Sequence, residues 1–298
     1  MALSSPALTL AIEALFGNIK PALDLIKKLG PTDFSKESPG IDIKPGATIK
    51  TPLSTVSAAL PFDDSSNNYL TGGTTSWASL TATHYLQGFD LRGTNLDEGA
   101  NASRIKQLFS NRCGTGIAMA AKNAIRSALD NSASGGITTS TGVKIPAVGS
   151  ATIADYDGLA SAADWYDPAT SVLVVNGAEY ANIKALMHAN HLSATPEAIA
   201  AELGFKDVIM LAGMTSRALI VPYSSMGFVA RVPQIVAKYQ EAGVETDPDS
   251  GLSLGIVVAE EQSLNRQVVN GDIWFGVATV SSNAGATTPG IIRVGTAT

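Results

Sequence analysis

His188 and His191 have the spacing most suggestive of chemistry in this chain, since a helix carrying imidazoles at i and i+3 presents both to a metal on one face. No third ligand follows at a usable distance in sequence, and histidines at a helix end also suit the negative pole of its dipole, so the pair reads as helix-terminal side chains. Asp247, Asp249 and Gly251 begin like a calcium loop, whose oxygen ligands recur at alternate positions. The next residues are Leu252, Ser253 and Leu254, with no carboxylate before Glu260, so the segment reads as a hairpin turn. Asp63 and Asp64 are adjacent carboxylates, but turn formers surround them and no core is near enough to shift their pKa values.

The remaining candidates are weaker still. His84 has neither an acid nor a nucleophile at a recognisable spacing. Gly46 to Thr51 lacks the glycine that should precede the lysine of a phosphate loop, Gly114 and Gly116 fall inside a predicted helix, and no Gly-x-Ser-x-Gly elbow occurs. Asn101-Ala102-Ser103 is a glycosylation sequon that also serves as a helix cap. Cys113 is the single cysteine, which excludes an internal disulfide and fits a reducing compartment. We therefore expect no catalytic residue, no cofactor and no metal, and a protein that is not an enzyme.

The elements carrying these residues change character along the chain. Ser5 and Pro6 cap a helix on which Leu8, Ile12, Leu15 and Phe16 recur at three and four residues, continuing through Ile19, Leu23 and Ile26 to Gly30, with a kink at Pro21. From Ile41 to Gly99 short alternating runs are separated by Gly and Pro, and between Thr51 and Phe89 the only formal charges are Asp63 and Asp64. This predicts a long hairpin whose tip spans Pro61 to Gly73 and whose returning strand covers Ser76 to Leu86. Its apolar residues are too dispersed to offset the roughly 1–2 kcal/mol of backbone entropy each ordered residue costs. It is also too apolar for a solvated linker, holding Tyr69, Trp77, Tyr85 and Phe89. Such an arm needs neighbouring copies to order it.

A second helix is predicted from Asn101 or Ser103 to about Asn131, with Ile105, Leu108, Phe109, Ile117, Ala121, Ile125 and Leu129 in register. Its glycines Gly114 and Gly116 imply close packing or a bend. Beyond Gly142 helices and strands alternate: a helix at Ile153 to Trp165, a strand at Ser171 to Val175, a helix capped by Asn176 and another opened by Thr195-Pro196 and ended by Gly204. Strands follow at Val208 to Ala212, Ala218 to Pro222 and Gly227 to Val232. A hairpin, Gln234 to Glu245 with Ser253 to Glu260, turns at Asp247 to Gly251, and strands at Ile273 to Val280 and Ile291 to Val294 close the chain.

Over its 298 residues the chain is 45% hydrophobic and only 15% charged, the profile of a protein that hides much of its surface against copies of itself. A net charge of −6 argues against a binder that works by neutralising phosphates. The apolar stretch from Leu3 to Leu15 has no preceding basic residue and is interrupted by Glu13, so export is not expected. Nor does any apolar run approach the ~20 residues of a membrane span.

This order of elements resembles the major capsid protein of tailed bacteriophages, the Hong Kong 97-type fold. Ser5 to Gly46 matches that family's N-terminal arm, Ile41 to Gly99 its extended loop, Ser103 to Asn131 its spine helix, and Ile145 onward its axial domain. Val172 to Leu186, with its Asn176 turn, looks like the strand and helix at the start of the axial domain. The hairpin at Asp247 to Gly251 is similar to the peripheral loop at a threefold contact. The resemblance implies an α+β chain divided into an arm (1–40), extended loop (41–99), spine helix and linker (100–144), axial domain (145–228), peripheral hairpin (229–262) and closing strands (263–298).

It also implies self-assembly through hexamers and pentamers into an icosahedral shell around double-stranded DNA, built in the bacterial cytoplasm and resident in the virion. Assembly contacts would come from the loop tip (Pro61, Phe62, Asp63, Asp64, Tyr69, Gly72, Gly73, Trp77), the peripheral turn (Asp247, Pro248, Asp249, Gly251) and the arm helix (Leu8, Ile12, Leu15, Phe16). Only about forty residues precede the loop, so scaffolding would come from a separate protein, alongside a portal and decoration proteins. Lys44 and Lys50 lie near the loop base and none lies towards its tip, which departs from relatives that link subunits by isopeptide bonds. An encapsulin-like compartment is the nearest alternative. A secreted β-rich surface protein and a hydrolase using Asp63 or the histidine pair are readings from other classes.

Overall fold

The computed structural model describes residues 17, 20, 24–29, 32–33, 48–53, 76–81, 83–92, 102–130, 144–162, 170–222, 226–231, 241–246, 253–261, 266–279 and 291–296. Residues 17, 20 and 24–29 are helical, as the N-terminal periodicity requires. The strands β1 (Thr32–Asp33), β2 (Thr48–Leu53), β3 (Ser76–Thr81) and β4 (Thr83–Arg92) precede a 28-residue helix, α1 (Ala102–Leu129). At 1.5 Å per residue α1 is about 42 Å long. After it come β5 (Lys144–Ile145), α2 (Ile153–Ala162), β6 (Ser171–Val175), α3 (Gly177–Ala189), α4 (Pro196–Glu202), β7 (Asp207–Met210) and β8 (Ala218–Pro222). The last elements are β9 (Met226–Arg231), β10 (Glu241–Thr246), β11 (Ser253–Glu261), β12 (Arg266–Thr279) and β13 (Ile292–Thr296).

Among the described residues the strands form three sheets. One has the order β5-β13-β8-β6-β7 and is mixed: β6 and β7 are parallel, while β8 is antiparallel to both β6 and β13. A second is organised around β12. Its pairing runs from Arg266 opposite Arg92 to Phe275 opposite Thr83 along β4. The other edge of β12 carries β11 as far as Ile273 and β9 from Trp274 onward, two strands in tandem. The third sheet is β2 with β3 alone, antiparallel from Thr48 opposite Thr81 to Leu53 opposite Ser76.

Period-two alternation divides each strand of the α/β sheet between two cores. Val172, Val174, Leu219 and Val221 face α1 and the 24–29 helix, joining Ile117, Ala121, Ile125 and Leu129 and extending to Phe228, Ile273 and Phe275 of the β12 sheet. Leu173, Val175, Ala218 and Ile220 face the other way, packing with Tyr156, Leu159, Ile183, Met187 and Ile199 from α2, α3 and α4. The i, i+4 stripe Cys113, Ile117, Ala121, Ile125, Leu129 is what lets one helix serve both sheets, since all five are buried. Leu25, Ile26 and Leu29 seal the end of that core, each contributing about 1.5–3 kcal/mol by burial.

Local signals set the helix boundaries. Asn176 accepts the amide of Glu179 at 2.8 Å as the cap of α3, and Thr195 accepts that of Ala198 as the cap of α4, where Pro196 fixes the first turn. Gly204, at φ 73°, follows the last turn of α4. Two expectations change. The strand expected at Ile273 to Val280 begins at Arg266, because pairing on both edges holds Asn270-Gly271 extended where an isolated Asn-Gly would turn. The returning strand expected over Ser76 to Leu86 is two strands flanking residue 82: β3 stays with the hairpin and β4 enters the β12 sheet, running on to Arg92. Asp247 to Gly251 and Pro61 to Gly73 lie outside the described residues, as do Leu8, Ile12, Leu15 and Phe16.

Candidate assembly surfaces

The hairpin of β2 and β3 is the most unusual surface. Six paired residues at about 3.3 Å each make a ribbon on the order of 20 Å long. Its strands pair with each other and with no third strand among the described residues, while β3 also runs beside β12 and β9 at the base. Trp77 lies on β3 opposite Pro52. Residues 54–75, which hold the other tip candidates, connect the far end of this ribbon and lie outside the described residues. A two-stranded hairpin alone is marginal in water, and this one draws further support from the contact of β3 with β12 and β9.

The hairpin of β10 and β11 forms the second surface. Its register ends at Thr246 opposite Ser253, whose hydroxyls lie 2.7 Å apart, leaving 247–252 as the connection. Strand β10 is the last in its sheet among the described residues.

A third feature was not legible in the sequence. Strand β7 is an edge of the α/β sheet, and the 24–29 helix lies beside it, with Lys28 Nζ 3.0 Å from Asp207 Oδ2. Between them and α1 is a cleft of about 510 Å³ lined by Asp24, Lys28, Met119, Lys122, Tyr180 and Met210. Met119 and Met210 are more than half exposed there.

Buried polar groups are committed to holding the scaffold. Glu179 is fully buried on α3 and binds Arg217, which donates from Nε to Oε2 at 2.7 Å, with Nη2 also 2.7 Å from Oε2. The Arg217 Nη1 donates to the carbonyls of Ile145 and Pro146 at 3.2 and 2.6 Å. The hydroxyl of Tyr156 donates to Glu179 Oε1 and accepts from Asn182 Nδ2, the latter at 2.7 Å. Burial, reinforced by the neighbouring Glu179 carboxylate, pushes the Tyr156 phenol well above its ordinary pKa, so it acts as a donor and not as a base. One cluster thus ties β5, α2, α3 and the start of β8 together. Sequence reasoning missed it because Glu179, three residues after Asn176, reads as a first-turn helix acid.

His188 is exposed in the last turn of α3, and His191, also exposed, takes φ 58° in the turn that follows. Among the described residues no group of three or more His, Cys, Asp or Glu side chains converges as a metal site. Cys113 is buried, and burial pushes its thiol up to about 11 despite a hydrogen bond with the Gly271 backbone and the nearby Arg112 charge. No helix among the described residues is long and apolar enough to cross a membrane.

No protein-family model matches the sequence, and no curated protein matches it. Solved structures do. The crystal structure of a virus-like particle from Pyrococcus furiosus is 12% identical, with 95% of this chain and 96% of that chain covered and a TM-score of 0.51. A structure from Microbacterium phage Oxtober96 is 13% identical over 90% of each chain at a TM-score of 0.48. The capsid of Ralstonia phage GP4 is 11% identical, covering 89% of this chain and 86% of that one, also at 0.48. The chain has the Hong Kong 97-type α+β fold.

Proposed function

We propose that this chain is the major capsid protein of a tailed bacteriophage, a structural subunit without catalytic activity that assembles as hexamers and pentamers into an icosahedral shell around double-stranded DNA. The observation that carries the reading is the β2–β3 hairpin, a sheet of its own within a shell-protein fold. Strand pairing and apolar burial across subunits supply what such a ribbon lacks alone. The loop tip, the turn between β10 and β11, and the N-terminal helix around Leu8 to Phe16 are the proposed contacts. A net charge of −6 supports a DNA container, since a basic lining would hold packaged phosphates in a salt-dependent grip. Scaffolding, portal and decoration proteins are the proposed partners, with assembly in the bacterial cytoplasm and residence in the virion.

Size-exclusion chromatography with light scattering, followed by negative-stain microscopy, tests this. Shells, sheets, tubes or discrete hexamers and pentamers are expected, and a compact monomer at every concentration and salt tested would overturn the reading. A second reading, a shell around protein cargo, is favoured by the likeness to the Pyrococcus furiosus particle. Particles purified from their native source decide between the two: nuclease-protected double-stranded DNA supports the phage reading, and nucleic-acid-free particles filled with protein support the compartment.

A further inference from the structure

The last turn of α1 is bound to both large sheets. On one side the Thr279 hydroxyl, at the end of β12, donates to the carbonyl of Ala128 at 3.0 Å. On the other, Asp130 reaches the loop between β7 and β8. Its Oδ2 accepts the amide and hydroxyl of Thr215 at 2.5 and 2.7 Å, and its Oδ1 accepts the amide and hydroxyl of Ser216 at 3.2 and 2.5 Å. Arg293 of β13 approaches the same carboxylate, at 3.9 Å from Oδ1. One turn earlier, the Arg126 guanidinium lies over Gly213, in the space a side chain there would take.

A carboxylate just past the C-terminal end of a helix opposes the helix dipole. Four donors from two consecutive residues more than offset that, and charge-assisted bonds of this kind are the strong ones. This turn joins α1 to both sheets by directed bonds, which resist sliding more than apolar packing does, so the angle between the sheets depends on it.

We propose that Arg126 and Asp130 form a latch on the β7–β8 loop that fixes the angle between the β12 sheet and the α/β sheet, and that in the assembled particle this angle sets shell curvature. The first half stands on the chain alone, and the second rests on the shell-forming function proposed above. Asp130→Asn keeps the shape but puts an amide donor against the Thr215 and Ser216 donors. Thr215→Val removes one hydroxyl and leaves the carboxylate, and serves if the first variant does not fold.

Hydrogen–deuterium exchange on unassembled subunits at one fixed pH reads the latch. The amides of Thr215 and Ser216 should exchange on the order of tenfold faster in the variant, with β6 unchanged. Unchanged exchange at both amides overturns the latch. Electron microscopy of assembled variant protein reads the curvature: a shifted or broadened diameter, or tubes, is expected. Faster exchange with particles of wild-type diameter overturns the curvature role while leaving the latch. Wild-type protein that never assembles overturns the shell function, and the exchange data still decide the latch.

Discussion

The carbonyl of Thr81 packs so closely on Gly276 that a Cβ at position 276 would collide with backbone. The contact lies where the chain passes from the β2–β3 hairpin into the β12 sheet, so Gly276 lets the end of β3 approach β12 beside the start of β4. Because the obstacle is a backbone carbonyl and not a flexible side chain, Gly276→Ala should destabilise the subunit by roughly 1–3 kcal/mol. A lower denaturation midpoint with an unchanged m-value would show this, and faster proteolysis between β3 and β4 should accompany it.

Glu179 and Arg217 form a buried pair, and removing one charge strands the other. Glu179→Gln should cost about 3–5 kcal/mol, measured by chemical denaturation. Tyr156→Phe should cost about 1 kcal/mol through the lost hydroxyl. The double substitution of Glu179 and Arg217 by apolar residues should be milder than Glu179→Gln alone, since no charge is then left without its partner.

Asp130 also makes a prediction in pH. Burial raises its pKa, but the hydrogen bonds from Ser216 and Thr215 outweigh that and hold it below the ordinary value of 3.8. A depressed carboxyl contributes stability above its unfolded pKa and loses it as pH falls through the folded one. Arg293 on β13 faces the same carboxylate, 3.9 Å from Oδ1. Melting temperature should therefore fall more steeply below about pH 4 in wild type than in Asp130→Asn.

The Cys113 thiol should be inert in the native subunit. With its pKa pushed up to about 11 and no exposed surface, it carries almost no thiolate at neutral pH. Labelling by a thiol reagent should wait for unfolding, and rapid stoichiometric labelling of native protein would contradict the packing of α1 on β12.

Cohesion without covalent links is the expected state of the particle. Boiled particles should run as one band near 30.7 kDa on denaturing electrophoresis. A ladder that survives reductant would show a lysine acting as a linker.

Where a short-range signal and the tertiary outcome agree, the sequence was readable. Asn176, Thr195-Pro196 and the stripe from Ile117 to Leu129 each announce their element by a local rule and sit where that rule puts them. The strand expected from Ile273 begins at Arg266, because β4 and β11 both hold Asn270-Gly271 extended against its local preference for a turn. The polar clusters were harder. Glu179 carries no sign of burial in its neighbours, and only its distant partners Tyr156 and Arg217 explain it. Asp130 did leave a trace: an acid at a helix C-terminus conflicts with the dipole, and such a conflict implies a partner from elsewhere in the chain.

The place of β13 has a consequence for synthesis. It lies between β5 and β8, yet it follows every other element among the described residues. The α/β sheet therefore stays open, with the edges of β5 and β8 bare, until translation has passed residue 296. Contacts so remote in sequence form slowly, and bare edges aggregate. Each newly made copy thus completes its fold late, and a pool of neighbours with open sheets is the condition in which a chaperone would matter most.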